Sequence, residues 1–113
     1  MSETRVVQAL GLELEALETG TGETQSGSAR PKTFGLVIGE VMGLECGVWE
    51  HTVGTSTDVE ADEVFVVISG RATVVIEGGP TLELTPGTVG FLNEGDRTTW
   101  TVHERLRKVW LGR

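Results

Sequence analysis

The sequence predicts an all-β domain, a closed barrel or a sandwich, from three observations. Short segments of alternating apolar and polar residues recur along the chain, separated by turn residues about every six to twelve positions. The chain has 16 glycines among its 113 residues, which suits tight turns better than helices. Residues 62–70 contain a strand-like run that is apolar on both faces, so both faces need cover. A chain of this length forms one core and one domain.

Residues 1–32 are predicted to contain a first strand and a mobile polar arm that precede the barrel. The strand is expected at residues 6–9. Residues 10–18 fit a helical stripe and a strand equally, and Gly11 disfavours the helix, so this stretch is predicted to be extended or irregular. Residues 19–32 are rich in Gly, Ser and Thr with little to bury, which predicts a mobile loop. The barrel is predicted over residues 33–113.

Alternation from residue 33 onward predicts a continuous series of short strands. The expected strands are residues 33–39, 44–52, 55–59, 63–68, 71–76, 81–84, 89–92, 97–103 and 106–111. Gly70 is expected to turn the chain between two of them, and the sequence from Glu77 to Pro80 is typical of a hairpin turn. Pro86 and Gly87 suit a type II turn. The last two strands are expected to form a closing hairpin.

Composition excludes several classes of function. The formal charge of −8 argues against nucleic-acid binding, which needs clustered Lys and Arg. No apolar run approaches the roughly 18–20 residues that span a bilayer. The N-terminus lacks the order of a secretory signal, and Cys46 is a single cysteine that has no partner for an internal disulfide. These features predict a cytoplasmic protein that contacts neither membrane nor nucleic acid.

Two groups of residues repeat a known pair of motif spacings. Glu63 and Gly70 are separated by six residues, and Pro86-Gly87 is followed by an apolar strand, then Gly95, then Thr98 three positions on. Over residues 33–111 the chain therefore resembles the cupins. The resemblance implies a cupin-type jelly-roll β-barrel in a single domain.

Further short matches resemble one branch of the cupins, the small single-domain proteins grouped with (S)-ureidoglycine aminohydrolase. The matching residues are Gly47-Val48-Trp49-Glu50, Asp62-Glu63, Thr99-Trp100-Thr101-Val102, and Arg107-Lys108 before Trp110. The branch resemblance implies hydrolysis of a ureide. Fold is the firmer implication, because this barrel supports many unrelated chemistries.

The sequence departs from the metal-binding cupins at their ligands. Those proteins hold a divalent ion with two histidines, a glutamate and a later histidine. Here the two early histidine positions are Thr57 and Val59, or Ser56 and Asp58 if the spacing is one residue longer, and the late position is Thr98. Transition metals need three or four N, O or S donors from the protein, and only the glutamate remains. We therefore predict no metal and no cofactor.

The two histidines of the chain do not offer a replacement site. His51 lies on the strand of Trp49, and His103 ends the strand of Trp100. Nothing in their spacing brings them together. Both are expected to be ordinary surface or rim residues.

The resemblance and strand alternation together predict the residues that face the barrel lumen. Thr98 faces inward because its motif position does, and the others follow by alternation or strand register. The predicted ligand-binding set is Trp49, Thr57, Val59, Glu63, Phe65, Thr98, Trp100, Lys108 and Trp110. A buried carboxylate is costly, so Glu63 should be hydrogen-bonded, paired with Lys108 or Arg71, or partly protonated. An alternative is that these side chains simply fill a small barrel.

Three functions are compatible with these residues. The preferred one is a metal-free cupin that binds a small polar metabolite in the lumen without catalysing a reaction. The second is an aminohydrolase-like enzyme acting on ureides, with Glu63 as general acid or base. Against it, Cys46, Ser56 and Ser69 have no histidine at a readable spacing. The third is a structural module that dimerises.

A homodimer is expected from an apolar outer face. Two alternating sets on neighbouring segments could form that face. They are Val64, Val66 and Ile68, or Ala72, Val74 and Ile76.

Overall fold

The computed structural model describes residues 5–18 and 30–113, and within them every regular element is a β-strand. The eight strands are β1 (Glu15–Leu17), β2 (Thr33–Val41), β3 (Leu44–His51), β4 (Gly54–Val59), β5 (Glu63–Ile76), β6 (Thr81–Leu84), β7 (Val89–Leu92) and β8 (Arg97–Gly112). All pairings are antiparallel. The predicted all-β fold is confirmed. No helix in the described residues is long and apolar enough to cross a membrane.

The two longest strands, β5 and β8, pair along most of their length and divide the sheet into two halves. In the first half, β8 from Leu106 onward lies between β3 and the start of β5, with β1–β2 beyond β3 and β7 beyond β5. In the second half, the start of β8 lies between β4 and the end of β5, with β6 outermost. Ring contacts between Trp100 and both Phe65 and Trp49 show that the halves face each other.

The sequence wrongly places a turn at Gly70 and a hairpin near the end of the chain. β5 runs without a break from Glu63 to Ile76, and its register against β8 shifts around Ser69 and Arg71. A bulge of this kind adds a residue to one strand and bends it. β8 follows this bend and remains a single uninterrupted strand. The chain therefore forms neither a turn at Gly70 nor a closing hairpin.

The bulge also changes which residues of β5 face inward. Before it, Phe65 and Val67 are buried, and after it the buried residues are Ala72, Val74 and Ile76. An inserted residue has this effect because side chains alternate with a period of two. The second set proposed for an apolar outer face is therefore core. The core is completed from the other strands by Leu84, Leu92, Trp100, Val102 and Leu106.

The N-terminal segment differs from the sequence prediction. Residues 6–9 form no strand, and the first strand is β1, which pairs with β2 within the stretch predicted to be extended or irregular. Most of the predicted mobile loop, residues 19–29, lies outside the described residues. Arg107 fastens the segment, because its Nη1 donates to the carbonyl oxygens of Ala9 (2.7 Å) and Leu12 (2.8 Å). Its Nε donates to Glu50 at 2.8 Å.

We expect Arg107→Lys to loosen this segment. A lysine cannot reproduce the planar fork that serves two carbonyls and a carboxylate together, and the loss should cost roughly 2 kcal/mol. Hydrogen exchange of the β1 amides should become faster while that of β5 stays unchanged. Arg105→Lys is the control, since Arg105 is largely exposed and bonds to Glu50 without reaching those carbonyls. Unchanged exchange in β1 would contradict the anchoring role.

Candidate functional site

A buried ammonium group lies at the centre of the first half. The Lys108 side chain is 5% exposed, and its Nζ donates to Glu63 Oε2 at 2.5 Å. Nζ also lies 4.7 Å from the ring centroid of Trp49, 4.6 Å from that of Phe65 and 4.8 Å from that of Trp100. The faces of aromatic rings attract cations, most strongly where water is excluded. Three rings and a carboxylate therefore hold the ammonium, and the predicted Glu63–Lys108 pair is formed.

Strand register explains why these side chains meet. Trp49 of β3 and Val67 of β5 flank Lys108 directly on either side in the sheet. Two positions from the Trp49–Lys108 pair, Gly47 of β3 pairs with Trp110 of β8. A Cβ on Gly47 would lie 2.4 Å from the indole ring of Trp110. The absence of a side chain at Gly47 thus makes room for Trp110 on the same face as Lys108.

A cavity of about 650 Å³ lies beside this pair and is bordered by residues of both halves. Of the predicted ligand-binding residues, it is bordered by Trp49, Thr57, Val59, Glu63, Trp100, Lys108 and Trp110. Phe65 and Thr98 are not part of its wall: both are buried, Phe65 against Lys108 and Trp100. A space therefore remains open beside the Lys108–Glu63 pair, next to the side chains that pack the core.

The predicted orientation of Thr57 and Val59 is wrong by one position. In β4, Ser56 and Asp58 pair with the inward-facing Trp100 and Thr98, so they share the inner face. Thr57 and Val59 pair with Thr99 and Arg97 on the other face, and Val59 is 58% exposed. They border the cavity as members of the strand, with exposed side chains. The longer of the two motif spacings is the one that matches.

Acidic groups line the second half of the cavity. Glu60 Oε2 accepts hydrogen bonds from Thr98 Oγ1 at 2.6 Å and from Trp100 Nε1 at 3.1 Å. Partial burial raises the pKa of the Asp58 carboxyl, although its surface is exposed, and the Glu60 carboxylate raises that pKa further; the hydrogen bond from the Val59 amide and the charge of Lys108 lower it. Six carboxyl groups and two cations border the space, and this acidic excess disfavours anionic ligands; they are Glu15, Glu18, Glu45, Asp58, Glu60 and Glu63, with Lys108 and Arg113.

His51 is fully buried, so its predicted place at the surface or rim is wrong. Its Nε2 lies 2.7 Å from Ser56 Oγ, and its Nδ1 lies 2.6 Å from the carbonyl oxygen of Thr52. His51 ends β3 and Ser56 lies in β4, so a short connection brings them together across the two halves. The sequence carries no periodic signal for this contact, because β3 and β4 do not pair with each other. His103 is exposed, as predicted, and contacts Thr73.

The His51 environment makes stability depend on pH. Burial lowers the pKa of His51 below its ordinary 6.5, Lys108 lowers it further, and the Thr52 carbonyl opposes both. The unfolded chain then binds more protons than the folded one between the folded pKa and 6.5. The free energy of unfolding should fall as the pH drops below about 6.5, by up to about 1.4 kcal/mol per unit. Urea unfolding between pH 7.5 and 5.5 measures this, and His51→Gln should reduce the slope. Equal slopes in the two proteins would contradict it.

Comparison with known proteins places the chain in a family. The family model described as the EutQ-like cupin domain matches residues 38–110. The chain belongs to the EutQ-like cupin family. No curated protein is similar enough to count as a match.

Solved structures share the fold of this cupin at low sequence identity. EutQ from Clostridium difficile has a TM-score of 0.69 and 18% identity, with 89% of this chain and 79% of that chain covered. A protein of unknown function from Pseudomonas syringae pv. tomato, of the DUF861 family, has a TM-score of 0.76 and 22% sequence identity, with 95% of this chain and 46% of that chain covered. The polyketide cyclase RemF from Streptomyces resistomycificus has a TM-score of 0.66 and 14% sequence identity, with 97% of this chain and 79% of that chain covered. At these identities the likeness establishes the fold alone.

The residues of this cupin do not fit the histidine-rich metal site that the resemblance implies. In residues 5–18 and 30–113, no three His, Cys, Asp or Glu side chains are grouped closely enough to hold an ion. Glu63 is the one metal ligand of the motif that remains, and its carboxylate already accepts a hydrogen bond from the Lys108 ammonium. That the protein binds no metal remains a prediction.

Proposed function

We propose that this EutQ-like cupin binds a small polar molecule, without a metal, in the cavity between the two halves of its sheet. The observation that carries the proposal is a space of about 650 Å³ walled by Trp49, Trp100 and Trp110 beside the Lys108–Glu63 pair. Ligand sites have volumes of roughly 300–1,000 Å³ and combine apolar walls with few polar groups. Structures with this fold that are named for a polyketide cyclase and for DMSP lyases agree with a small-molecule role.

Tryptophan fluorescence tests the proposal directly, because the chain has 3 tryptophans and all of them border the cavity. We expect at least one compound in a panel of small ureides, amino acids, amines and carboxylates to shift the emission saturably. Trp110→Phe should weaken that binding about tenfold or more by removing wall area. Phe91→Leu is the control, since Phe91 lies on the outer surface and is 70% exposed. Failure of every compound at millimolar concentration would overturn the proposal.

Hydrolysis of a ureide with Glu63 as acid or base, and membership of the ureidoglycine aminohydrolase branch, stay predictions from the sequence. Glu63 borders the cavity, which favours a role there, and its bond to Lys108 supplies a proton donor beside it. Ammonia release from ureides that disappears in Glu63→Gln would support the hydrolase. Release that persists in that variant would remove Glu63 from the mechanism.

We also propose that a second copy of the chain covers the outer face of β5 and β7. Val64 and Val66 pair there with Phe91 and Val89, which are 70% and 55% exposed. A contiguous apolar face of this kind commonly marks a subunit contact. Light scattering should give the mass of a dimer, and Phe91→Glu should give the monomer. A monomeric wild type at micromolar concentration would contradict the dimer.

A further inference from the structure

The binding proposal leaves one polar arrangement at the cavity unused. Ser56 borders the cavity, whereas His51 is completely buried behind it. Ser56 is 5% exposed and lies between the cavity and Nε2 of His51, so a molecule in the cavity approaches both groups from the serine side. Every buried side-chain N and O atom of the described residues has a partner, so the pair is fully bonded.

The bonds around His51 determine where its proton lies. The Thr52 carbonyl oxygen can only accept, so in the neutral ring Nδ1 carries the hydrogen and donates to it. Nε2 is then the unprotonated nitrogen and accepts the hydrogen bond from Ser56 Oγ at 2.7 Å. A nucleophile, a base within hydrogen-bond reach and a third group that orients the base make up the arrangement of covalent catalysis by serine.

We propose that Ser56 is a nucleophile activated by His51, and that it accepts the acyl group of a small neutral or cationic carboxylic ester bound in the cavity. The proposal uses the same cavity as the proposed binding function and rests on it. It adds a covalent step that sequence spacing did not indicate, because the two residues meet only through the connection between β3 and β4.

The step balances without a cofactor. Ser56 Oγ attacks the ester carbonyl carbon as its proton passes to His51 Nε2, and the carbonyl oxygen becomes an oxyanion. The tetrahedral intermediate collapses, the bond to the leaving oxygen breaks, and His51 returns the proton to the departing alcohol. Water, deprotonated by His51, then attacks the acyl-serine, releases the carboxylic acid and restores the hydroxyl.

Charge in the cavity defines the substrate class. Lys108 is the buried cation of its wall, and a cation there favours the negative charge that develops on the carbonyl oxygen of a bound ester. The six acidic residues of the wall, among them Asp58, Glu60 and Glu63, outnumber Lys108 and Arg113 and oppose a carboxylate on the substrate. The tryptophan walls suit an apolar or cationic acyl or alcohol group. A neutral or cationic ester satisfies all three conditions.

Covalent labelling with phenylmethanesulfonyl fluoride, a small neutral serine reagent, tests the proposal. Intact-mass and peptide analysis should find one adduct, on Ser56. Ser56→Ala should abolish it, and His51→Gln should slow it at least about 100-fold. Ser69→Ala is the matched control, a serine of β5 away from any histidine, and should label at the wild-type rate. The wild-type rate should fall about tenfold per pH unit once His51 is protonated, which a structural hydroxyl would not do.

Outcomes separate this proposal from the binding function. A ligand that shifts tryptophan emission equally in wild type and Ser56→Ala, with labelling lost only in the variant, supports both. Saturable emission changes with no adduct on Ser56 would overturn the nucleophile and leave binding standing. Labelling of Ser56 that is independent of both pH and His51 would overturn activation by the imidazole. p-Nitrophenyl acetate hydrolysis with an initial burst provides the catalytic readout.

Discussion

Gly70→Ala should lower the free energy of unfolding by about 4 kcal/mol, the largest effect we expect from a single added methyl group. Gly70 has a φ of +88°, and a Cβ there would lie 2.0 Å from the carbonyl oxygen of Arg105 and 2.7 Å from the Cα of Leu106. Backbone strain at positive φ costs roughly 1–3 kcal/mol. The overlap adds a comparable amount, because the obstructing atoms are backbone atoms of β8 and cannot rotate away.

Gly87→Ala separates the two contributions to that loss. Gly87 has a similar φ of +94°, but nothing lies within 4 Å of its would-be Cβ. Gly87→Ala should therefore lower the free energy of unfolding by the backbone strain alone, about 1 kcal/mol. Urea denaturation of both variants measures the difference. If the two substitutions cost the same, the close approach of β5 and β8 at the bulge is not present in solution.

The bulge at Gly70 illustrates what the sequence could and could not predict about the fold. Strands bounded by unambiguous turn residues, such as β6 and β7, were predicted at their observed limits. A turn and a bulge both require positive φ from glycine, so the local sequence around Gly70 predicts a turn as readily as a bulge. The pairing with β8 determines that a bulge forms and not a turn, because β8 follows β5 through the bend.

The site was predictable where a motif position fixed which face of a strand points inward. The inward orientation of Phe65 and Trp100 follows by alternation from the motif positions Glu63 and Thr98, and both side chains are buried. In β4 the residues are small or polar on both faces, so their pattern could not fix the register. The bond between His51 and Ser56 was missed for a related reason: it joins two strands that do not pair with each other, and no periodicity reports such a contact.

Glu63→Gln should destabilise the protein by about 3 kcal/mol. The side chains of Lys108 and Glu63 are only 5% and 17% exposed, so neutralising the carboxylate leaves an ammonium group with little access to water. Removing one partner of a buried pair typically costs 3–5 kcal/mol. The three surrounding rings still attract the cation, and the glutamine carbonyl can still accept a hydrogen bond, which favours the lower end of that range.

The size of that loss distinguishes an uncompensated charge from a merely missing contact. Combining Glu63→Gln with Lys108→Met removes the charge that was left behind, so the double variant should recover most of the stability despite carrying one more substitution. Glu104→Gln is the surface control: the Glu104–Arg71 pair is more than half exposed at both ends and should change stability by less than about 1 kcal/mol. Urea unfolding of wild type, Glu63→Gln, Lys108→Met and the double variant measures the coupling free energy, with Glu104→Gln as the control. A double variant less stable than Glu63→Gln alone would mean that Lys108 stabilises the cavity through its packing among the rings, independently of its carboxylate partner.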